Sequence, residues 1–198
     1  MSIELARKIA DAVLYEGYIL YPYRASSGKN QFRWQFGVLA PRDWSESGGC
    51  ESWWFRTECL AETSAAPVLQ CKLRFLQVQR RIVEESAGRD GDHFQAVDRI
   101  EVDGNLLVTW EEGIEREVDI ELPIAGRAET ERITRFDFSA QRTTEPVYDR
   151  SGRFAARIVR ETCALEGAIH LRTECLSATH PLLKLQITVQ NTTPWHKP

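Results

Sequence analysis

The stretch FRTECLAETSAAPVLQCKLRFLQ, residues 55–77, has a counterpart in LRTECLSATHPLLKLQITVQN, residues 171–191. The pentad RTECL is common to both, at 56–60 and 172–176. Beyond the matched Pro67 and Pro181 the apolar pattern continues in register, with Leu69, Cys71, Leu73 and Phe75 opposite Leu183, Leu185, Ile187 and Val189. Apolar residues at every second position specify a strand with one buried face. Each copy therefore reads as two strands joined by a short proline-ended loop, and together they predict two related hairpins, 55–77 and 171–191, within one β-structure.

The same alternation puts Phe55, Thr57 and Cys59 on one face and Arg56 and Glu58 on the other, as it does Leu171, Thr173 and Cys175 against Arg172 and Glu174. A free cysteine among apolar neighbours behaves as a small hydrophobe, and Leu185 stands in one copy where Cys71 stands in the other. Cys59 and Cys175 are thus expected in equivalent buried positions. Arg56, Glu58, Arg172 and Glu174 are expected to be solvated or to pair with one another.

Working outward from the repeat, SIELARKIADAVL (2–14) carries Ile3, Ala6, Ile9, Ala10 and Val13 at helical spacing, with Ser2 as the candidate cap. It predicts one amphipathic helix packed on the β-structure. Strands are expected at 18–24 and 32–39, with Pro22 at an edge or bend. In 94–124 the pairs Asp103-Gly104 and Glu112-Gly113 read as turns of a three-stranded meander. Further strands are expected at 131–141, 153–165, 168–176 and 182–191. About ten strands exceed what one flat sheet holds. The predicted fold is mainly β: an antiparallel two-layer β-sandwich or partly closed barrel, with one N-terminal helix and the internal hairpin duplication. A chain of 198 residues, 42% of them hydrophobic, is read as a single β-rich domain, 1–198.

A formal net charge of −4 argues against nucleic acid as a partner, because phosphate recognition needs a basic face. No run of 18 apolar residues and no basic, apolar, small-residue leader pattern occurs, so a cytoplasmic protein with no membrane partner is expected. The five cysteines include no C-x-x-C spacing and read as reduced thiols.

Chemical motifs are few. SSGKN (26–30) lacks the glycine and hydroxyl residue that a phosphate-binding loop requires, since Tyr23 and Asn30 occupy those positions. Glu115, Glu117, Asp119 and Glu121 share one strand face, but ligands along a single strand diverge, so the row reads as a solvated face. Arg150, Arg153, Arg157 and Arg160 are its expected cross-strand partners. His93, His170, His180 and His196 have no metal-ligand spacing, and no signature supports Cys175 with His180 as a catalytic pair. No cofactor, metal or catalytic residue is assigned.

The segment LYEGYILYPYRASSGKNQFRWQFGVLAP (14–41) interleaves tyrosines, Phe32, Trp34 and Phe36 with Arg24, Lys29 and Arg33. Such aromatic and basic residues anchor interfaces, and equally fill cores. ADAVLYEGYILYPYRASSGKNQFRWQFGVLAP (10–41), followed by the paired RTECL segments, resembles the N-terminal part of uncharacterised proteins encoded in actinobacterial-type NiFe-hydrogenase gene clusters. Those proteins are longer, so the resemblance implies an N-terminal piece or a short variant. It also implies a setting without a reaction: a non-catalytic accessory or interaction protein for hydrogenase maturation, assembly or support, with hydrogenase subunits or maturation proteins as partners. Tyr21, Tyr23, Arg24 and Lys29 are the candidate contact residues. The alternatives are a small-ligand or metal-delivery β module with a tyrosine-lined pocket, and an enzyme with a cysteine or carboxylate centre.

Overall fold

The structure is a computed structural model that describes residues 3–14, 37–62, 68–86, 93–124, 129–177, 180 and 182–196. Helix α1 (Ile3–Leu14) and a short α2 (Arg42–Glu46) are joined by strands β1 (Trp54–Glu62), β2 (Val68–Ser86), β3 (Phe94–Val97), β4 (Arg99–Val102), β5 (Asn105–Val108) and β6 (Trp110–Pro123). Strands β7 (Thr130–Phe138), β8 (Gln141–Tyr148), β9 (Phe154–Thr162), β10 (Leu165–Cys175) and β11 (Leu182–Asn191) complete the order. The fold is mainly β with antiparallel sheets, and no sheet among the described residues closes into a barrel. Two compact units are formed. One comprises Met1–Trp34, Arg74–Arg116 and Ala140–Cys163; the other comprises Gln35–Leu73, Glu117–Ser139 and Ala164–Pro198.

The second unit contains a four-stranded sheet of order β1-β11-β10-β7. Its centre is β11, which pairs antiparallel with both copies of the pentad. Arg56 lies opposite Thr188 and Cys59 opposite Leu185 on one side, while Leu171 lies opposite Ile187 and Thr173 opposite Leu185 on the other. The two copies are therefore displaced by two residues along the sheet, a shift that preserves which side chains face inward. Ile169, Leu171 and Val189 on the inner face form a buried cluster with Ile120 and Leu122 of β6, joined by Leu69, Cys71 and Leu73 of β2. Within this unit the early part of β2 and the late part of β6 thus form a second layer over the sheet, as a sandwich requires.

This arrangement corrects the duplicated-hairpin reading. β10 and β11 are a hairpin, but β1 pairs with β11 whereas β2 pairs with β3, β6 and β9. Segment 55–77 holds two strands that do not pair with each other. The equivalence of the cysteines fails with it. Cys59 is exposed and Cys175 half-buried, because β1 is an edge strand while β10 lies between two neighbours beneath the second layer. Burial also holds the half-buried Cys71 thiol protonated, above its ordinary range.

In the first unit the order is β3-β2-β9-β8, beside a β4-β5 ribbon. Val83, Ala156 and Val159 form its fully buried centre. Asp103-Gly104 is a two-residue turn with φ of 52° and 83°, the left-handed pair that a primed hairpin turn demands. Glu112-Gly113 is not a turn. It lies inside β6, and the break falls at Thr109, whose hydroxyl accepts the Val83 N–H at 2.9 Å and donates to the Val97 carbonyl at 2.7 Å. A strand that the sequence reading omitted, β8, follows β7 directly. Helix α1 forms as expected but does not bury its apolar stripe: Ile9 is 62% and Val13 68% exposed, and Asp11 pairs with Arg74 at 2.6 Å.

The acidic row of β6 also has partners other than those expected. Lys72 meets Glu117 at 2.9 Å and Asp119 at 3.0 Å, Arg74 pairs with Glu115, and Gln70 reaches Glu121 at 3.3 Å. β6 lies beside β2, so β2 supplies the cations. Arg157 instead faces Glu84, and Arg160 faces Glu145 and reaches β6 only at Glu112, outside the row, at 3.3 Å.

One substitution made in both copies of the repeat checks this topology. Thr173 is fully buried and its hydroxyl accepts the Thr130 N–H at 3.1 Å, whereas Thr57 is exposed. Thr173→Val should cost about 1–3 kcal/mol by removing that acceptor, and Thr57→Val should change stability by no more than about 0.5 kcal/mol. Urea unfolding of the two variants provides the comparison.

Candidate interaction surface

The first unit carries an organised aromatic surface. It begins with a cross-strand ion pair, since Glu84 of β2 lies opposite Arg157 of β9 and accepts a hydrogen bond from its Nε. Both side chains are largely buried. Held in this way, the Arg157 guanidinium lies 3.5 Å from the ring centroid of Phe94 on β3. A guanidinium over a ring face is attracted by the quadrupole, more so where water is excluded. Phe94 meets Phe154 edge to face at 5.8 Å, and Phe154 meets Tyr148 in the same manner at 6.1 Å.

The outer members of this row are open to solvent, Tyr148 at 57% and Phe154 at 40%. They flank the β8-β9 turn, which is built around one carboxylate. Asp149 Oδ1 accepts the backbone N–H groups of Ser151 and Arg153, each at 2.9 Å, and the Ser151 hydroxyl. Gly152 takes the left-handed φ of 80° that the turn needs. The Ser151 hydroxyl and these N–H donors hold the Asp149 carboxyl below its ordinary range. The row thus combines exposed aromatic area, a buried ion pair beneath Phe94 and a tight turn, with the residue types that carry binding energy at interfaces.

Elsewhere the described residues offer less. In the second unit an open depression of about 470 Å³ lies between the 37–39 segment and Trp54 and Phe55 of β1. Its described lining contains no tyrosine. Tyr21, Tyr23, Arg24 and Lys29 lie outside the described residues. Among the described residues no three His, Cys, Asp or Glu side chains converge as a metal site would require. The Cys175 thiol donates to the Ser177 carbonyl at 3.3 Å. On the outer face of the four-stranded sheet the repeated charges are exposed, and they pair with other residues rather than with one another: Glu58 accepts from Gln186 and pairs with Lys184 at 3.0 Å, and Arg172 lies 3.6 Å from Glu129. Such exposed pairs contribute little individually. No described helix is long and apolar enough to cross a membrane. Comparison with family models, curated proteins and solved structures returns no match.

The aromatic row escaped the sequence reading because Phe94, Tyr148 and Phe154 come from three strands and each stands alone in the chain. A signal was present in YDRSGRF (148–154), a turn sequence bracketed by aromatic residues.

The turn gives a pH-dependent expectation. Because Asp149 has a lowered folded-state pKa, its contribution is present above the ordinary carboxylate range and is lost as pH falls through the folded value. Hydrogen exchange at the Ser151 and Arg153 amides should therefore show protection at neutral pH that declines at acid pH. Asp149→Asn should remove that pH dependence.

Proposed function

We propose that this chain is a non-catalytic interaction protein supporting a NiFe-hydrogenase system in its maturation, assembly or upkeep, and that it holds a partner protein through the Phe94-Phe154-Tyr148 row. The supporting observation is that row itself: the exposed Tyr148 and Phe154 rings meet edge to face, and Phe154 meets a Phe94 that Arg157 and Glu84 hold in place. Fixing Arg157 and Phe94 before contact lowers the ordering cost of association. The hydrogenase setting rests on the resemblance of 10–41 and the paired RTECL segments. The aromatic and basic residue types of Tyr21, Tyr23, Arg24 and Lys29 make them a second contact.

The test is affinity capture with the tagged full chain from a host expressing the hydrogenase, followed by binding measurements with the captured protein. Hydrogenase subunits or maturation proteins should be recovered. Tyr148→Ala with Phe154→Ala should weaken binding by about 2 kcal/mol or more, as loss of hot-spot aromatics does. Tyr23→Ala with Arg24→Ala reports the second contact separately. Folded variants that bind as well as the parent, or capture of no hydrogenase-system protein, would contradict the proposal.

A further inference from the structure

We infer that β1 pairs antiparallel with β1 of a second copy of this chain about a two-fold axis at Thr57, joining two four-stranded sheets into one of eight strands. Among the described residues β1 is an edge of the order β1-β11-β10-β7, and residues 54–60 are exposed on both faces. The phase of its backbone is set by one bond, Asn191 N–H to the Trp53 carbonyl at 2.8 Å. With Trp54 opposite Gln190, this makes 53 and every second residue after it bond to β11. Trp54, Arg56, Glu58 and Leu60 therefore direct their N–H and C=O groups away from the sheet.

A partner strand must match that phase, so an antiparallel copy can centre on a residue but not between residues. An axis at Arg56 sets Arg56 against itself, and an axis at Glu58 sets Glu58 against itself; like charges directly opposite are destabilising. An axis at Cys59 leaves Glu58 opposite Leu60. The axis at Thr57 pairs Arg56 with Glu58 twice, Trp54 with Leu60 twice on the same face, and Phe55 with Cys59 twice on the other. The strand is complementary to itself in charge and in apolar area. Trp54, Phe55 and Leu60, exposed in the single chain, gain apolar partners.

The outer strands at the other end of each ordered sheet, β7 and β8, carry devices that discourage pairing, whereas the charges of β1 match one another across the proposed axis. β7 turns Arg132 to the inner face, opposite Leu171, where it donates to the Glu121 carbonyl at 3.1 Å. β8 contains Pro146. Inward charges and prolines are how sheet edges are protected. β1 runs nine residues with no proline and no lysine.

Analytical ultracentrifugation of the full chain should show a reversible, concentration-dependent dimer. Arg56→Glu should weaken it about tenfold or more by setting Glu against Glu, as should Glu58→Arg by setting Arg against Arg. The swap Arg56→Glu with Glu58→Arg should restore association to within about threefold, because the pairs re-form in reverse. With Cys50, Cys59 and Cys163 replaced by serine, Thr57→Cys should form an intermolecular disulfide on mild oxidation, since residues facing across a two-fold axis meet within bonding reach. A monomer at all concentrations, a dimer indifferent to either single charge reversal, or a parent chain that cross-links through Cys59 while the thiol introduced at position 57 does not, would each overturn the inference.

Discussion

Everything described in the second unit depends on β11 being held on both sides by the same short sequence. Its odd-numbered residues bond to β1 and its even-numbered residues to β10, as the Asn191-Trp53 and Leu176-Leu182 backbone bonds show at the two ends. Leu183, Leu185 and Val189 are then buried, and the layer formed by β2 and β6 packs against Val189. A slip of one residue in either ladder would turn this apolar set to solvent. The register is therefore fixed by burial, and the repeat supplies two strands that satisfy it.

Identical residues meet different fates on the two sides. Thr173 is sealed and bonded to Thr130 while Thr57 is in water, and Cys175 is half-covered while Cys59 is open. The cause is position in the sheet: among the described residues β10 has neighbours on both edges, and β1 has one. Face alternation was legible in the sequence, because period two is a property of the chain. Which copy would be central was not, because that depends on pairing between residues far apart.

Other elements divide along the same line. Asp103-Gly104 was readable as a hairpin turn because both positions must take left-handed φ, which Gly adopts freely and Asp tolerates. Glu112-Gly113 resembled it in composition, yet Gly113 does not take a positive φ and the strand runs through. The acidic face of β6 was correctly read as paired and solvated, but its cations come from Lys72 and Arg74 of β2. Strand order, which chooses those partners, left no mark on the local sequence. The Glu84-Arg157-Phe94 contact arises in the same way, from three strands that the fold alone brings together.

Two surfaces follow from this architecture, an aromatic row braced by a buried ion pair in one unit and an edge strand complementary to itself in the other. The accessory role and the self-association proposed above rest on these two surfaces. The central claim, that β11 is flanked by both copies of the pentad, is tested most directly by cross-strand Hα–Hα contacts in solution. Nuclear Overhauser spectra should show Arg56 with Thr188 and, in the same molecule, Leu171 with Ile187, since non-hydrogen-bonded antiparallel pairs bring these protons closest. Contacts from 56–60 to 68–77 in place of those to β11 would contradict the account and restore a hairpin at 55–77.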